Sequence, residues 1–325
     1  MIELTQDILW ARRLKIRHLE TFLVLTEAPT LTAAAALMNM SQSAMSHWLK
    51  DIEDLIGAPL FVRGRTLELT LAGEVMRRHA SRILGDVRRT HIDLGAIMAG
   101  SVGHLRVGTV HSGLAALLPA AIVAFQRDRP GVAIRVSEAP FRQLLDALHE
   151  RDLDLIIVPI DSRAYGAGLA HETLLEDSME VVVGPGHPLA GDAPLSWDDI
   201  IAFPWIVPPA GTLMRQRLDT ARLAAGSGQA FAPRIESGSI QTVQSVLRRT
   251  DYVSVLAGLV ARPLHELGLL RILPMTRPEV FGQIGVIWQE ADTYPLVEQF
   301  REVLRGEALR LATAKGGEMP RRATV

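Results

Sequence analysis

The hydrophobic pattern is sharpest near the N-terminus. Between residues 17 and 57, apolar residues recur at helical spacing in three short runs with tight breaks between them. Thr30 or Thr32 can cap the second helix and Ser41 the third, because a hydroxyl oxygen accepts from the unpaired N–H groups at a helix start. Gly57, with a proline two residues later, is typical of a helix end. The pattern therefore predicts three short helices.

The second and third helices are expected to pack closely. The small side chains of Ala34 and Ala35 let the two helices approach, and apolar residues around them form a shared core. That core is predicted from Met38, Met40, Ala44, Leu49, Ile52 and Ile56. Two short helices that pack in this way across a tight turn are typical of a helix-turn-helix.

A small ribbon and a long helix are predicted next. Residues 60–70 alternate around a turn at Gly64, which indicates a two-stranded wing. Residues 71–98 contain no proline and carry apolar residues at helical spacing. A helix of this length without a partner domain nearby buries its apolar stripe most easily against a second copy, which predicts a dimer. The stripe comprises Val75, Ile83, Leu84, Val87, Leu94 and Ile97.

The pattern changes after a predicted hinge at 100–103. Short apolar strands then alternate with helices, first as a βαβαβ unit and later at irregular spacing. The predicted strands are 105–109, 133–138, 155–158, 179–183, 205–207, 252–256 and 282–288, and the predicted helices are 117–127, 143–151 and 213–223. The irregular spacing, with long connections around 160–175 and 270–280, favours an open two-lobed α/β architecture over a barrel.

Composition places the chain among ordinary globular proteins. Apolar residues make up 48% and charged residues 22% of the chain, as in ordinary globular proteins. Because the chain has 325 residues, we expect more than one core. The chain has no cysteine, which excludes disulfides and thiolate sites and makes a reducing compartment the simplest setting. We find no signal peptide and no apolar run of bilayer length, and a cytoplasmic protein is therefore expected.

Positive charge is local. The net charge of −2 argues against binding of polyanions through overall basicity, but residues 60–90 hold seven arginines and three acids. Polar side chains also lie at the start and along one side of the third helix, where a recognition helix reads bases in the major groove. They are Ser41, Gln42, Ser43, Ser46, His47 and Lys50. The alternative is that these are ordinary solvated positions.

Five motifs follow one another in this segment. They are R-x-L-x-x-F from Arg17, A-A at 34–35, S-Q-S-A-M-S at 41–46, L-I-G-A-P-L-F at 55–61 and L-T-L-A-G at 69–73. Over this whole length, residues 17–73 resemble the N-terminal domain of LysR-type transcriptional regulators. The resemblance implies a DNA-binding winged helix-turn-helix.

The resemblance also implies roles for particular side chains. It places base contacts on Gln42, Ser43, Ser46 and His47, and phosphate contacts on Ser41, Lys50, Arg63 and Arg65. The chain departs from the family where it has Ser43 for a common proline, His47 for a common arginine, and Glu68 for a frequent basic residue. The operator sequence therefore does not follow by analogy. Trp48 is expected to pack against the wing or the linker rather than to stack on a base.

The α/β part carries looser motifs, L-R-V-G-T at 105–109, D-L-D-L-I-I at 152–157 and G-H-P-L-A at 186–190. It resembles the effector domain of the same family, which implies a periplasmic-binding-protein-like fold with a ligand between two lobes. Helix N-termini at such a cleft favour anions, so an organic acid or a sugar acid is expected. The candidate contacts are Thr109, His111, Ser112, Gly211, Thr212, Gly238, Ser239 and Ile240. Gly238 and Ser239 can instead simply cap the helix that follows.

Catalytic chemistry is not indicated. The sequence contains no G-x-S-x-G, no H-E-x-x-H and no phosphate-binding glycine loop, and its ten histidines show no metal-ligand spacing. We therefore expect neither an enzyme nor a metal or cofactor site. A solute-binding protein is an alternative that the C-terminal fold alone would favour, but the basic helix-turn-helix segment counts against it.

Taken together, the patterns predict an α+β multi-domain protein. An all-α winged helix-turn-helix occupies residues 14–70, a linker and dimerisation helix 71–99, and a two-lobed α/β effector domain 103–310. Lobe I comprises 103–170 and 275–310, and lobe II 171–274; residues 1–13 precede the first domain and a disordered tail follows at 315–325. The expected assembly is a homodimer that forms a homotetramer through side-by-side effector domains.

Overall fold

The computed structural model describes residues 12–62, 64, 66–98, 103–110, 117–160, 168–224, 233–277, 279–290 and 294–314. Two compact units are present, one built mainly from residues up to 104 and the other mainly from residue 105 onward. The predicted N-terminal extension up to residue 11, most of the hinge and the C-terminal tail lie outside the described residues.

The N-terminal unit contains the three short helices and the long helix that the sequence predicts. They are α1 (Ile16–Glu27), α2 (Leu31–Leu37), α3 (Gln42–Ile56) and α4 (Leu71–Met98). The predicted start and end signals explain these bounds. Thr30, rather than Thr32, caps α2, and Ser41 caps α3; each hydroxyl accepts from an amide three residues later at 3.2 Å. Gly57 ends α3 in the left-handed conformation, with φ of 81°.

A single apolar core holds the helix-turn-helix together. Its fully buried residues come from α1, α2, α3 and the segment after α3, and include Leu19, Phe22, Leu25, Ala34, Ala35, Met45, Ile52 and Leu60. The predicted close approach at Ala34 and Ala35 is confirmed. The prediction that Ala44 belongs to the core is wrong, because Ala44 is exposed and Met45 is buried in its place.

The predicted wing is present as a short antiparallel ribbon. Phe61 and Leu69 form a bridge, and the N–H of Val62 donates to the backbone oxygen of Glu68 at 2.7 Å. Glu53 of α3 anchors the incoming strand, since its Oε1 accepts from the backbone N–H of Leu60 at 2.6 Å. The strand that leads into the wing is therefore fixed to the third helix.

Helix α4 is partly covered within its own unit. Its N-terminal half packs on α1 and buries Met76 and Ala80, which corrects the expectation that this helix has no partner nearby. The same face continues at heptad-like spacing through Val87, Leu94 and Met98, which are 46%, 56% and 88% exposed. The apolar stripe is thus half covered and half open.

The C-terminal unit alternates strands and helices around one sheet. Its strands are β1 (Gly103–Thr109), β2 (Val132–Glu138), β3 (Leu155–Ile160), β4 (Leu169–Val183), β5 (Trp205–Val207), β6 (Pro233–Glu236), β7 (Val253–Ala257), β8 (Arg271–Ile272) and β9 (Glu279–Gln289). Its helices are α5 (Leu117–Asp128), α6 (Phe141–His149), α7 (Trp197–Ile201), α8 (Leu213–Ala224), α9 (Ile240–Leu247), α10 (Gly258–Glu266) and α11 (Pro295–Ala314).

The sheet consists of two halves that share long strands. The strand order is β2-β1-β3-β9-β4-β7-β5-β6, with β8 paired to β4. β1 and β3 are parallel, whereas β9 runs antiparallel to both β3 and β4. Parallel strands β5 and β7 continue the second half beyond β4. This mixed open sheet confirms the predicted α/β class.

The long strands correct two predicted connections. β4 already begins at Leu169 and pairs with β9 from its first residue, so 169–175 is strand rather than loop. The connection predicted around 270–280 likewise contains β8 and the start of β9. β4 and β9 therefore each run from one half of the sheet into the other.

Candidate DNA-binding face and effector cavity

The polar face predicted on α3 is exposed as one continuous surface. Ser43, Ser46, His47 and Lys50 lie on the exposed side of the helix, opposite the buried Met45. Ser41 and Gln42 stand at its N-terminus and are also exposed. The burial of Met45 and Ile52 fixes which way the helix turns this face, so the packing of the core and the direction of the polar face are linked.

Several of these side chains are available to a partner. Gln42, Ser46 and Lys50 make no side-chain hydrogen bond within the described part of the chain. The hydroxyl of Ser41 accepts from the α3 backbone and lies 3.0 Å from the hydroxyl of Ser43. Ser41 therefore stabilises the start of the helix, where unpaired N–H groups and the helix dipole favour a negative group.

His47 contacts an acid one turn further along α3. Its Nδ1 lies 3.0 Å from Oδ2 of Asp51, and the two side chains are 77% and 64% exposed. Because a carboxylate only accepts, Nδ1 carries the hydrogen in this contact, and Nε2 has no partner among the described residues. A neutral His47 then offers an acceptor to a base, whereas the arginine common at this position offers only donors.

Two further predictions have different outcomes. Trp48 packs against the apolar core of its unit, with its ring 6.2 Å from that of His18 of α1 in an edge-on arrangement, so a packing role is confirmed. Arg63 and Arg65 lie outside the described residues. Their predicted phosphate contacts stay predictions from the sequence.

The C-terminal unit contains a cavity of about 800 Å³. It opens where strand ends meet helix starts, which is the usual position of ligand sites in open α/β sheets. Its lining comes from 138–142, 208–214, 237–240 and 254–257, together with Val110, Pro159, Val243, Val260 and Phe281.

Most of the predicted effector residues that lie within the described part of the chain meet at this cavity. Gly211, Thr212, Gly238, Ser239 and Ile240 all line it. Thr109 does not, because it is fully buried and its hydroxyl donates to the backbone oxygen of Ile157 at 2.9 Å. Thr109 therefore holds β1 to β3. His111 and Ser112 lie outside the described residues.

Two adjacent turns form one wall. Thr212 Oγ1 accepts from the N–H of Arg215 at 3.2 Å and so caps α8, and Ser239 caps α9 in the same way at 3.3 Å. A Cβ added at Gly238 would lie 3.4 Å from Cγ of Pro209, so the turns are in van der Waals contact. Capping and lining are thus compatible roles for Ser239.

The sequence alone did not identify several lining residues. Phe141 and Arg142 are the first two residues of α6, and Phe281 lies near the start of β9. Nothing in the local pattern marks them, because they reach the cavity only through the pairing of distant segments. Arg142 makes no hydrogen bond or ion pair within the described part of the chain and is exposed.

Among the described residues, no three or more histidine, aspartate or glutamate side chains group in a way that could hold a metal ion. No described helix combines the length and the apolar composition needed to cross a membrane.

Family models match both parts of the chain. Residues 16–74 match the model described as "Bacterial regulatory helix-turn-helix protein, lysR family", and residues 99–309 match the one described as "LysR substrate binding domain". The matched segments contain the polar face of α3 and the cavity.

Similar proteins were found by sequence and by structure. The HTH-type transcriptional regulator GbpR of Azospirillum brasilense is 30% identical over 85% of this chain and 81% of its own length. The uncharacterized HTH-type transcriptional regulator YdcI of Escherichia coli K12 is 30% identical over 89% and 94%. Full-length CbnR in complex with its target DNA has the same fold, with a TM-score of 0.60 at 20% identity over 90% and 100% of the two chains.

Proposed function

Because this chain belongs to the LysR family of DNA-binding transcriptional regulators, we propose that it binds an operator through α3 and that a small organic anion in its effector cavity modulates this binding. The exposed polar face of α3, which begins at a capped helix start, carries the proposal. The protein then acts as a regulator rather than an enzyme, and in the cytoplasm, where bacterial DNA lies.

On α3 the proposed roles follow from position and chemistry. Gln42, Ser43, Ser46 and His47 contact base edges, and Ser41 and Lys50 contact phosphates. Arg63 and Arg65 of the wing are assigned to phosphates on the sequence alone. Among the proposed base contacts, Ser43 and His47 depart from the family pattern, and a neutral His47 bonded to Asp51 through Nδ1 offers an acceptor at Nε2. The base sequence of its operator is therefore expected to differ from the operators of its relatives.

The proposal includes a homodimer. The open half of the α4 stripe, with Val87, Leu94 and Met98, is the length of helix that a second copy can cover. A dimer also places two α3 helices on a pseudo-palindromic site. For the proposed tetramer, Val123 on α5 and Leu223 on α8 are exposed apolar side chains that paired effector domains would cover.

Footprinting of the purified protein on the region upstream of its own gene, combined with a salt titration, tests the function. We expect a protected, two-fold related site whose affinity falls steeply with salt, because phosphate contacts release counterions. Gln42→Ala should weaken specific binding more than non-specific binding, and Lys50→Ala should weaken both. The absence of a protected site, or an affinity that does not depend on salt, would contradict the proposal.

A further inference from the structure

The cavity of the C-terminal unit also indicates which anion it takes. We propose that the effector is a small monocarboxylate with an apolar, ring-sized body, and that Arg142 binds its carboxylate. This inference rests on the proposed function, because it identifies the effector of that function. The sequence predicts an organic acid or a sugar acid as the effector, and the cavity favours the organic acid.

The walls of the cavity are predominantly apolar. Four prolines line it, Pro140, Pro159, Pro208 and Pro209, and proline has no backbone N–H to donate. Phe141 and Phe281 add aromatic surface. A volume of about 800 Å³ is within the range of pockets that enclose small organic molecules. Such walls favour a ligand that buries apolar surface.

Of the four hydroxyl groups in the lining, two donate their hydrogen to the chain and two are engaged only as acceptors. Thr212 donates to the backbone oxygen of Pro209 at 2.7 Å and accepts from α8, and Ser239 accepts from α9. Ser254 donates to the oxygen of Ile206 at 2.8 Å, and Ser237 accepts from the N–H of Ser239 at 3.2 Å. Ser237 and Ser239 can therefore each donate one hydrogen bond to a ligand. A sugar acid carries more hydroxyls than these two donors and the apolar walls can pair, and burying unpaired hydroxyls is unfavourable.

Arg142 differs from the other polar lining residues because it forms no hydrogen bond or ion pair with any described residue. Among the described residues that line the cavity, it is the one cation, and Glu138, the one acid, already interacts within the chain. Guanidinium binds carboxylate through two parallel hydrogen bonds. Arg142 also stands in the first turn of α6, where the helix dipole favours the same negative group.

Calorimetric titration of the full-length protein tests the assignment. The ligands are monocarboxylates with phenyl, cyclohexyl and indolyl bodies, such as 3-phenylpropionate, together with the neutral amide of each acid and gluconate. We expect at least one apolar acid to bind more tightly than its amide and than gluconate. Arg142→Gln should weaken that acid about tenfold or more and leave the amide unchanged, because only the charged hydrogen bonds are lost.

Arg135→Gln is the matched control. Arg135 is exposed on β2, outside the cavity lining, and its replacement removes the same charge from the same unit. It should leave the affinity of every ligand unchanged. Tighter binding of gluconate, no binding by any apolar acid, or equal affinities for the wild type and Arg142→Gln would each overturn the inference.

The proposed function and this inference fail separately. DNA protection by the ligand-free protein, together with binding of gluconate alone, would overturn the effector class and leave the regulator intact. Binding of an apolar acid through Arg142 without any protected DNA would support the ligand site and contradict the operator-binding role.

Discussion

At the scale of single residues, a buried ion pair explains two of the motifs in the effector domain. Arg106 of L-R-V-G-T and Asp154 of D-L-D-L-I-I are 6% and 2% exposed. Oδ2 of Asp154 accepts from the backbone N–H of Arg106 at 2.7 Å, and its Oδ1 accepts from the guanidinium at 2.9 Å. The pair therefore ties the middle of β1 to the start of β3, away from the strand ends at which Val110 and Pro159 line the cavity.

Replacement of Asp154 by asparagine should destabilise the protein strongly. It leaves the Arg106 guanidinium buried without a counter-charge, and breaking a buried pair in this way costs about 3–5 kcal/mol of unfolding free energy. Urea denaturation measures the change. Asp192→Asn is the matched control, because Asp192 pairs with Arg271 at 2.9 Å but its side chain is 97% exposed, and its loss should be barely measurable. Equal effects of the two variants would show that burial does not set the strength of the Arg106–Asp154 pair.

His187 gives the effector domain a dependence on pH. Nδ1 accepts from the N–H of Leu189 at 3.0 Å, and Nε2 donates to the backbone oxygen of Asp251 at 3.3 Å, so the folded state holds a neutral ring. Burial lowers the pKa of His187 below its ordinary value of 6.5. The unfolded chain therefore binds this proton first as the pH falls, and the folded state loses stability below about pH 6.5.

His187→Gln should reduce this loss. Between pH 7.5 and pH 5, roughly the range in which a histidine titrates, the unfolding free energy of the variant should fall less than that of the wild type. Urea denaturation at a series of pH values, with NMR titration of the His187 ring, measures both quantities. An unchanged pH profile would mean that other groups account for the acid sensitivity.

At the scale of elements, local signals predicted helix starts well and strand lengths poorly. Thr30 and Ser41 were found because capping depends on neighbours three residues away. The outer half of β4 was missed because His171, Glu172 and Thr173 make it polar. Glu172 is satisfied by Arg305, which lies 133 residues along the chain, and no local pattern shows such a pair.

The residues that line the cavity show the same difference between local and long-range signals. Gly211, Thr212, Ser239 and Ile240 were identified from sequence because helix starts after strands mark ligand sites in α/β folds. Arg142 and Phe281 were not, since their approach depends on how the halves of the sheet pair. Ala44 was placed in the core through a one-residue error in register, which only the observed burial of Met45 corrects.

The open stripe of α4 leads to a prediction at the same scale. Leu94→Glu should prevent dimerisation, because it places a charge in the middle of the 87–98 stretch that a second copy is proposed to cover. Light scattering during gel filtration measures the mass. Leu267→Glu is the control, since Leu267 is 71% exposed but follows α10 in the other unit, and it should leave the mass unchanged. A dimeric Leu94→Glu variant would place the interface elsewhere.

At the scale of the whole molecule, the two proposed sites lie in different units of the chain. α3 belongs to the N-terminal unit and the cavity to the C-terminal one. Regulation then requires a free-energy coupling between effector and operator. Such coupling is reciprocal, because the four states with and without each ligand form a closed thermodynamic cycle.

The cycle gives a quantitative prediction. If the effector changes operator affinity by some factor, typically about 5- to 150-fold, operator DNA must change effector affinity by the same factor.

Fluorescence anisotropy of labelled operator, with and without saturating 3-phenylpropionate or the tightest-binding acid of the panel, gives the first ratio. Calorimetry of that acid, with and without operator DNA, gives the second. For Arg142→Gln, an effector concentration equal to the wild-type Kd should change operator affinity much less than in the wild type, because a tenfold weaker Kd leaves the cavity only about one-tenth occupied. Two ratios that are both one would show that the cavity binds a ligand without regulating DNA binding. Unequal ratios would show that the acid also acts outside the cycle, for example on DNA or on the oligomeric state.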